Sequence, residues 1–277
     1  MSAPFEAFFL DVGRGPDPRR FCVYHPPIGE CRGAVLHVPA FAEEMNKSRR
    51  MVARQARALA EAGFAVLRPD LAGCGDSGGE FVGASWTGWL DDIEAGCAWL
   101  LDRHRDTALW LWGLRAGCLL ASAAAQRRTP VPHLLLWQPP TAGKALLQQF
   151  LRLRLAAQLA DGGGKGVTES LRADLEAGRP VSVAGYELPP AVALGMEQAR
   201  LHPPRPGQVI RWLEVMAREP AQLLPGSALA VQSWPADTDL LTQVVVGPAF
   251  WQTTEIEDAP ALIHATMQAM GAHGQPS

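Results

Sequence analysis

Trp110-Leu-Trp-Gly-Leu-Arg-Ala-Gly-Cys118 runs from a short apolar strand, Ala108 to Trp112, through one sharp turn into a helix spanning Gly117 to Gln126. The turn has the spacing Gly113-x-Arg115-x-Gly117. With serine in the middle this is a nucleophile elbow, where two glycines let the chain turn so tightly that the central side chain stands exposed. Arg115 holds the central place here. A guanidinium stays protonated and has no lone pair to offer, so it cannot attack a carbonyl.

The rest of the composition sets bounds. The chain has 277 residues, a net charge of -3 and 48% apolar residues, enough for one large α/β domain with a real core. Mild acidity and scattered basic residues argue against a nucleic-acid partner. Five cysteines, Cys22, Cys31, Cys74, Cys97 and Cys118, are odd in number and contain no CxxC pair. That fits free thiols in a reducing cytoplasm better than disulfides or zinc. No His, Cys and carboxylate set has metal spacing, and no cofactor is expected. The N-terminus lacks the features of a signal peptide. The run Ala108 to Ala125 is broken by Arg115 and two glycines, so it reads as core rather than as a membrane span.

Along the chain, strands are expected at Phe5 to Val12 and Arg20 to His25, joined as a hairpin by the turn formers from Gly13 to Pro18. Gly33 to Val38 and Phe64 to Pro69 are further strands, with a helix from Ser48 to Ala62 between them. The loop Asp70-Leu-Ala-Gly-Cys-Gly-Asp-Ser-Gly-Gly79 follows, then a helix from Trp86 to Leu101, the elbow, and a strand from His133 to Trp137. Alternating strands and helices imply a mostly parallel sheet covered on both faces. From Thr141 to Pro206 there is little strand signal. Helices are expected at Lys144 to Leu159 and Thr168 to Ala177, separated by a flexible glycine loop at 161–166. Strands resume at Gln208 to Val215 and Leu240 to Val246, and a helix at Ala259 to Met270 precedes a frayed tail. The expected division is a core at 1–140, a helical cap at 141–206 and the remaining core at 207–277. Gly73-x-Gly75-x-x-Gly78 matches a dinucleotide fingerprint, but no helix opens at its third glycine.

This order of parts resembles the α/β-hydrolase fold, an eight-stranded, mostly parallel sheet with a cap insertion and a site at the carboxyl ends of the strands. Three motifs carry the resemblance: His37-Val-Pro-Ala-Phe41 at the place of the oxyanion loop, Asp70-Leu-Ala-Gly-Cys-Gly-Asp-Ser77, and the elbow. More narrowly, Phe41-Ala-Glu-Glu-Met-Asn-Lys-Ser48, Gly113-Leu-Arg-Ala-Gly117, Val183-Ala-Gly-Tyr-Glu187 and Gly247-Pro-Ala-Phe-Trp-Gln252 resemble the second of the two exosortase A system-associated hydrolases. That family accompanies exopolysaccharide genes in bacteria. The resemblance implies a nominal hydrolase of an ester, thioester or acylated glycan.

The resemblance also defines what is missing. The family's histidine lies in the loop after the last strand, here Gly247 to Trp251, which has none; His264 comes later, inside the last helix. The oxyanion donors fall at Ala40 or Phe41 and at Ala116, and the acid position near Glu214, which reads equally well as a strand-end ion pair. His37 orients the oxyanion loop, Asp70 and Ser77 support the glycine-rich loop with Ser77 capping a turn, and Cys118 points into the core. Arg115 stands over a helix N-terminus that favours anions and carries a fork suited to a carboxylate or phosphate. Two readings stay open: a site for a small anionic or acylated ligand, or an internal ion pair with Glu43 or Glu44 that closes a dead pocket. A serine-triad mechanism is not expected. A non-catalytic, partner-binding protein is the alternative to an enzyme. Arg152 and Arg154 among the leucines of the cap helix leave peripheral membrane contact open, and the oligomeric state is undetermined.

Overall fold

The computed structural model describes residues 4–160 and 166–271. The expected glycine loop, up to 165, and the expected frayed tail, from 272, lie outside the described residues.

Strands β1 (Glu6–Asp11) and β2 (Arg19–His25) form an antiparallel hairpin. Then come β3 (Gly33–Val38), α1 (Glu43–Glu61), β4 (Phe64–Pro69), α2 (Trp86–Arg103), β5 (Leu109–Leu114), α3 (Ala116–Arg127) and β6 (His133–Trp137). Between β6 and β9 (Val209–Met216) lie α4 (Gly143–Ala160), α5 (Val167–Glu176), β7 (Val181–Val183), β8 (Tyr186–Leu188) and α6 (Pro190–Gln198). The chain continues through α7 (Pro225–Gln232), β10 (Asp239–Val246) and α8 (Pro260–Gly271). The large sheet has eight strands in the order β1-β2-β4-β3-β5-β6-β9-β10, and only β2 runs against its neighbours. This is the α/β-hydrolase arrangement.

Central strands are buried on both faces, so they read as unbroken apolar runs rather than as alternation. Val35 and Leu36 are neighbours, both 0% exposed, and face opposite layers. One layer packs Leu36, Leu67, Leu111 and Leu136 against Ile93 of α2 and Leu119 of α3. The other packs Trp110, Trp112 and Trp137 against Leu59 of α1 and Leu262 of α8.

Several boundaries differ from those the sequence suggests. Helix α1 begins at Glu43 rather than Ser48, because its first turn is polar and carries no apolar periodicity; Glu43 and Glu44 suit the positive end of the helix. Strand β5 continues to Leu114, which pairs with Trp137. A small hairpin, β7–β8, turns through Ala184 and Gly185 at φ 50 and 83, a two-residue turn of the type that hairpins favour. Helices α6 and α7, unmarked by the sequence reading, each open with proline in the first turn.

Candidate functional site

The elbow turn is intact. Arg115 has φ 54 and ψ -118, a conformation that costs a non-glycine residue roughly 1–3 kcal/mol. Packing on both sides imposes it. A Cβ on Gly113 would stand 2.6 Å from the Cα of Cys118, and one on Gly117 would stand 2.2 Å from the carbonyl oxygen of Val38. The Arg115 N–H donates to the Trp137 carbonyl at 3.0 Å, and the Cys118 N–H donates to the Arg115 carbonyl at 2.9 Å. Strand, turn and helix therefore present Arg115 as they would present a nucleophile.

The guanidinium meets a carboxylate. Nε donates to Glu44 Oε1 and Oε2 at 3.1 and 3.3 Å, and Nη2 lies 3.1 Å from Oε1. Nη2 also donates to Gln149 Oε1 of α4 at 3.2 Å. The guanidinium carbon lies 5.7 Å from the Trp251 ring centroid, within the range of a cation–π contact. The Arg115 and Glu44 side chains are only 11% and 12% exposed. Burial pushes the Glu44 carboxyl above its usual range, against the pull of Arg115. Of the two glutamates proposed from sequence, Glu44 makes the pair. Glu43 is also raised by burial, and its Oε2 has no hydrogen-bond partner among the described residues.

Phe41, Glu43, Glu44 and Ala116 line one cleft, closed from above by Leu146, Gln149, Phe150 and Leu153 of α4. Phe150 meets Phe41 edge-on at 4.9 Å between centroids. The cleft volume is about 40 Å³, room for a few waters. The sequence reading missed Gln149, Phe150 and the contact of Trp251. The amphipathic pattern of α4 marks it as a cover but does not say which residue reaches Arg115.

The remaining candidates fall elsewhere. Glu214 is wholly buried in β9; its Oε1 accepts from Trp212 Nε1 and its Oε2 from the Leu224 N–H, both at 2.9 Å. It tethers a loop and holds no histidine. His37 lies on β3 with Nδ1 3.2 Å from the Trp112 carbonyl. Burial, with Arg68 and Arg49 nearby, lowers its pKa to about 3, so it is neutral. Asp70 Oδ1 and Oδ2 each lie 3.4 Å from the Arg49 guanidinium, and Oδ2 accepts from the Asp76 N–H. The glycine-rich loop wraps this carboxylate so closely that a Cβ on Gly75 would stand 1.9 Å from Oδ2. Ser77 Oγ donates to the Asp70 carbonyl and accepts from the Phe21 N–H, which ties the loop to β2. Burial pushes the Cys118 thiol up, and that of Cys74 to about 12, so neither supplies a thiolate. His264 is exposed on α8 beside Gln268. Ser77 Oγ and Cys118 Sγ donate to backbone carbonyls, and among the described residues no group of three or more His, Cys, Asp or Glu could hold a metal ion.

The serine aminopeptidase S33 family matches residues 29–182. No curated protein matches the sequence. Among solved structures, an α/β serine hydrolase without a lid from Xanthomonas campestris aligns with a TM-score of 0.59 over 100% of this chain and 98% of its own, at 15% identity. Est1E from Butyrivibrio proteoclasticus, solved with ferulic acid, aligns at 0.63 over 92% and 95%, with 17% identity. Mouse alpha/beta hydrolase domain-containing protein 10 aligns at 0.59 over 97% and 98%, with 18% identity. At such identities the likeness speaks to the fold, while the family match spans more than half of the sequence. The chain belongs to the serine aminopeptidase S33 family of α/β hydrolases.

Proposed function

We propose that this protein is a non-catalytic member of its family that binds an amphipathic carboxylate, with Arg115 taking the charged end. The observation that carries this reading is the fork-like contact of Arg115 with Glu44 at the elbow tip. Glu44 shows what this guanidinium accepts, and a ligand carboxylate would take its place. Phe41, Leu146, Phe150 and Leu153 supply an apolar wall for the rest of the ligand. Because the cleft is small, a chain of several carbons enters only if α4 moves away from α1. We take residues 141–206 as a helical cap over a core formed by 1–140 and 207–277. The resemblance to exosortase-linked hydrolases supports an acidic or acylated glycan of exopolysaccharide metabolism as the natural ligand class. The five unpaired cysteines support a reducing, cytoplasmic setting. No described helix is long and apolar enough to cross a membrane.

A second reading, hydrolysis of an ester, thioester or acylated glycan without a serine, rests on one observation. Phe41 and Ala116, where the family has its oxyanion donors, line the same cleft. Calorimetric titration with octanoate tests the first reading. Wild type binds, and Arg115→Gln weakens binding about tenfold or more, the loss of a charged hydrogen-bonded partner. Equal binding by both proteins, or turnover of a short-chain ester by wild type, overturns it.

A further inference from the structure

A second hollow lies under α1, walled by its Met45, Ser48, Arg49 and Val52 and floored by His37 of β3 and Arg68 of β4. It is separate from the Arg115 cleft and shares no lining residue with it. Its charges do not balance. Arg68 makes no ion pair within 4 Å among the described residues, and its Nε is buried without a hydrogen-bond partner. Asp70, the one carboxylate of the lining, is shared with Arg49 at 3.4 Å and with the Asp76 N–H. His37 adds no compensating negative charge. A partly buried guanidinium that lacks a counter-ion costs free energy, and burial pulls Arg68 down to about 10. Two ring nitrogens of His25, on the neighbouring strand β2, are also buried without partners. This side of the sheet therefore holds a buried guanidinium N–H and a neutral imidazole without partners.

We infer that the hollow between α1 and β4 is an anion site in which Arg68 and Arg49 grip a phosphate-type oxyanion. Arg68 presents a planar fork from a rigid strand, the geometry that suits two oxygens of one phosphoryl group. Arg49 is 40% exposed on its side chain and is held by Asp70 at 3.4 Å and Asn46 Oδ1 at 3.5 Å, long contacts that a phosphoryl oxygen would replace. The hollow, about 30 Å³, is the space of about two or three waters, so it seats one face of an inorganic oxyanion or of the phosphoryl end of a larger molecule, with the rest at its mouth beside Arg49. Neither source needs Arg115.

Thermal unfolding of the intact protein with inorganic phosphate, and separately with methyl phosphate, tests the site against potassium chloride of equal ionic strength. Wild type and Arg115→Gln gain stability saturably with phosphate, since a ligand that binds only the folded state raises the melting temperature. Arg68→Met fills the same space without charge and loses that gain, with apparent affinity falling about tenfold or more. Arg49→Gln, on the exposed wall, weakens it by a smaller factor. A response to methyl phosphate equal to that of phosphate assigns the site to a phosphoryl end; a response to phosphate alone assigns it to the free ion. The inference is overturned if chloride at matched ionic strength gives the same shift, or if Arg68→Met responds to phosphate as wild type does.

Discussion

Arg115 is held by a buried carboxylate and a buried indole and by the exposed amide of Gln149, and its own backbone is strained. Removing either member of such an ion pair strands the other in a poorly solvated place. Arg115→Gln, which strands the buried carboxylate, is expected to cost about 3 kcal/mol of stability, Glu44→Gln less because burial already disfavours that carboxylate, and the double variant less than the sum; urea unfolding of the four proteins measures the coupling. The pH dependence has a definite sign. Glu44 titrates above its ordinary value of 4.5 because of burial. The folded state therefore holds that proton more tightly than the unfolded chain does, and stability from this group falls as pH rises from about 4.5 through the raised value. Glu44→Gln should flatten that part of the stability–pH curve, and an unchanged slope would contradict the assignment. His37 acts in the opposite direction. Its pKa is lowered to about 3, so its contribution is complete above its ordinary value of 6.5 and is lost as pH falls below it. His37→Gln, which keeps a donor for the Trp112 carbonyl, should be less sensitive to acid over that window.

At the scale of the element, the elbow shows why some of the site is readable and some is not. The turn is local: two glycines four positions apart, a strand before and a helix after. Their necessity is steric, as the 2.2 Å approach of a Gly117 Cβ to the Val38 carbonyl shows. Gly117→Ala is expected to cost about 3 kcal/mol or more, because the opposing atom is backbone and cannot rotate away; a midpoint within error of wild type would mean the turn relaxes. The partner of the turn was not local. Glu43 and Glu44 are adjacent in sequence but point about 100° apart on a helix, so choosing between them requires the start of α1. That start is hidden by the polar first turn. Likewise α4 was legible as a helix, yet the contact of Gln149 with Arg115 depends on how α4 docks. Trp251 stood in a quoted motif, but only the packing of the last loop against β5 and β6 brings it beside a guanidinium.

For the whole molecule, alternation of apolar runs with helical stretches was enough to give the eight-stranded sheet and its order of parts, because each central strand is buried on both faces. The less regular pieces, β7–β8, α6 and α7, are short and take their shape from proline and turn residues rather than from periodicity. The resulting architecture places two hollows against α1, one lined by Arg49 and Arg68 and the other lined by Glu43 and Glu44 beside the Arg115 turn. Where a nucleophile elbow carries a hydroxyl, this one carries a guanidinium paired with Glu44, and the proposed role of the cleft in taking a negative group follows from that exchange. A crystal structure of the protein soaked with octanoate tests this most directly. The account predicts the carboxylate on the Arg115 guanidinium, Glu44 turned away from it and α4 shifted outward with Phe150. Octanoate bound elsewhere, with the Arg115–Glu44 pair undisturbed, would contradict it.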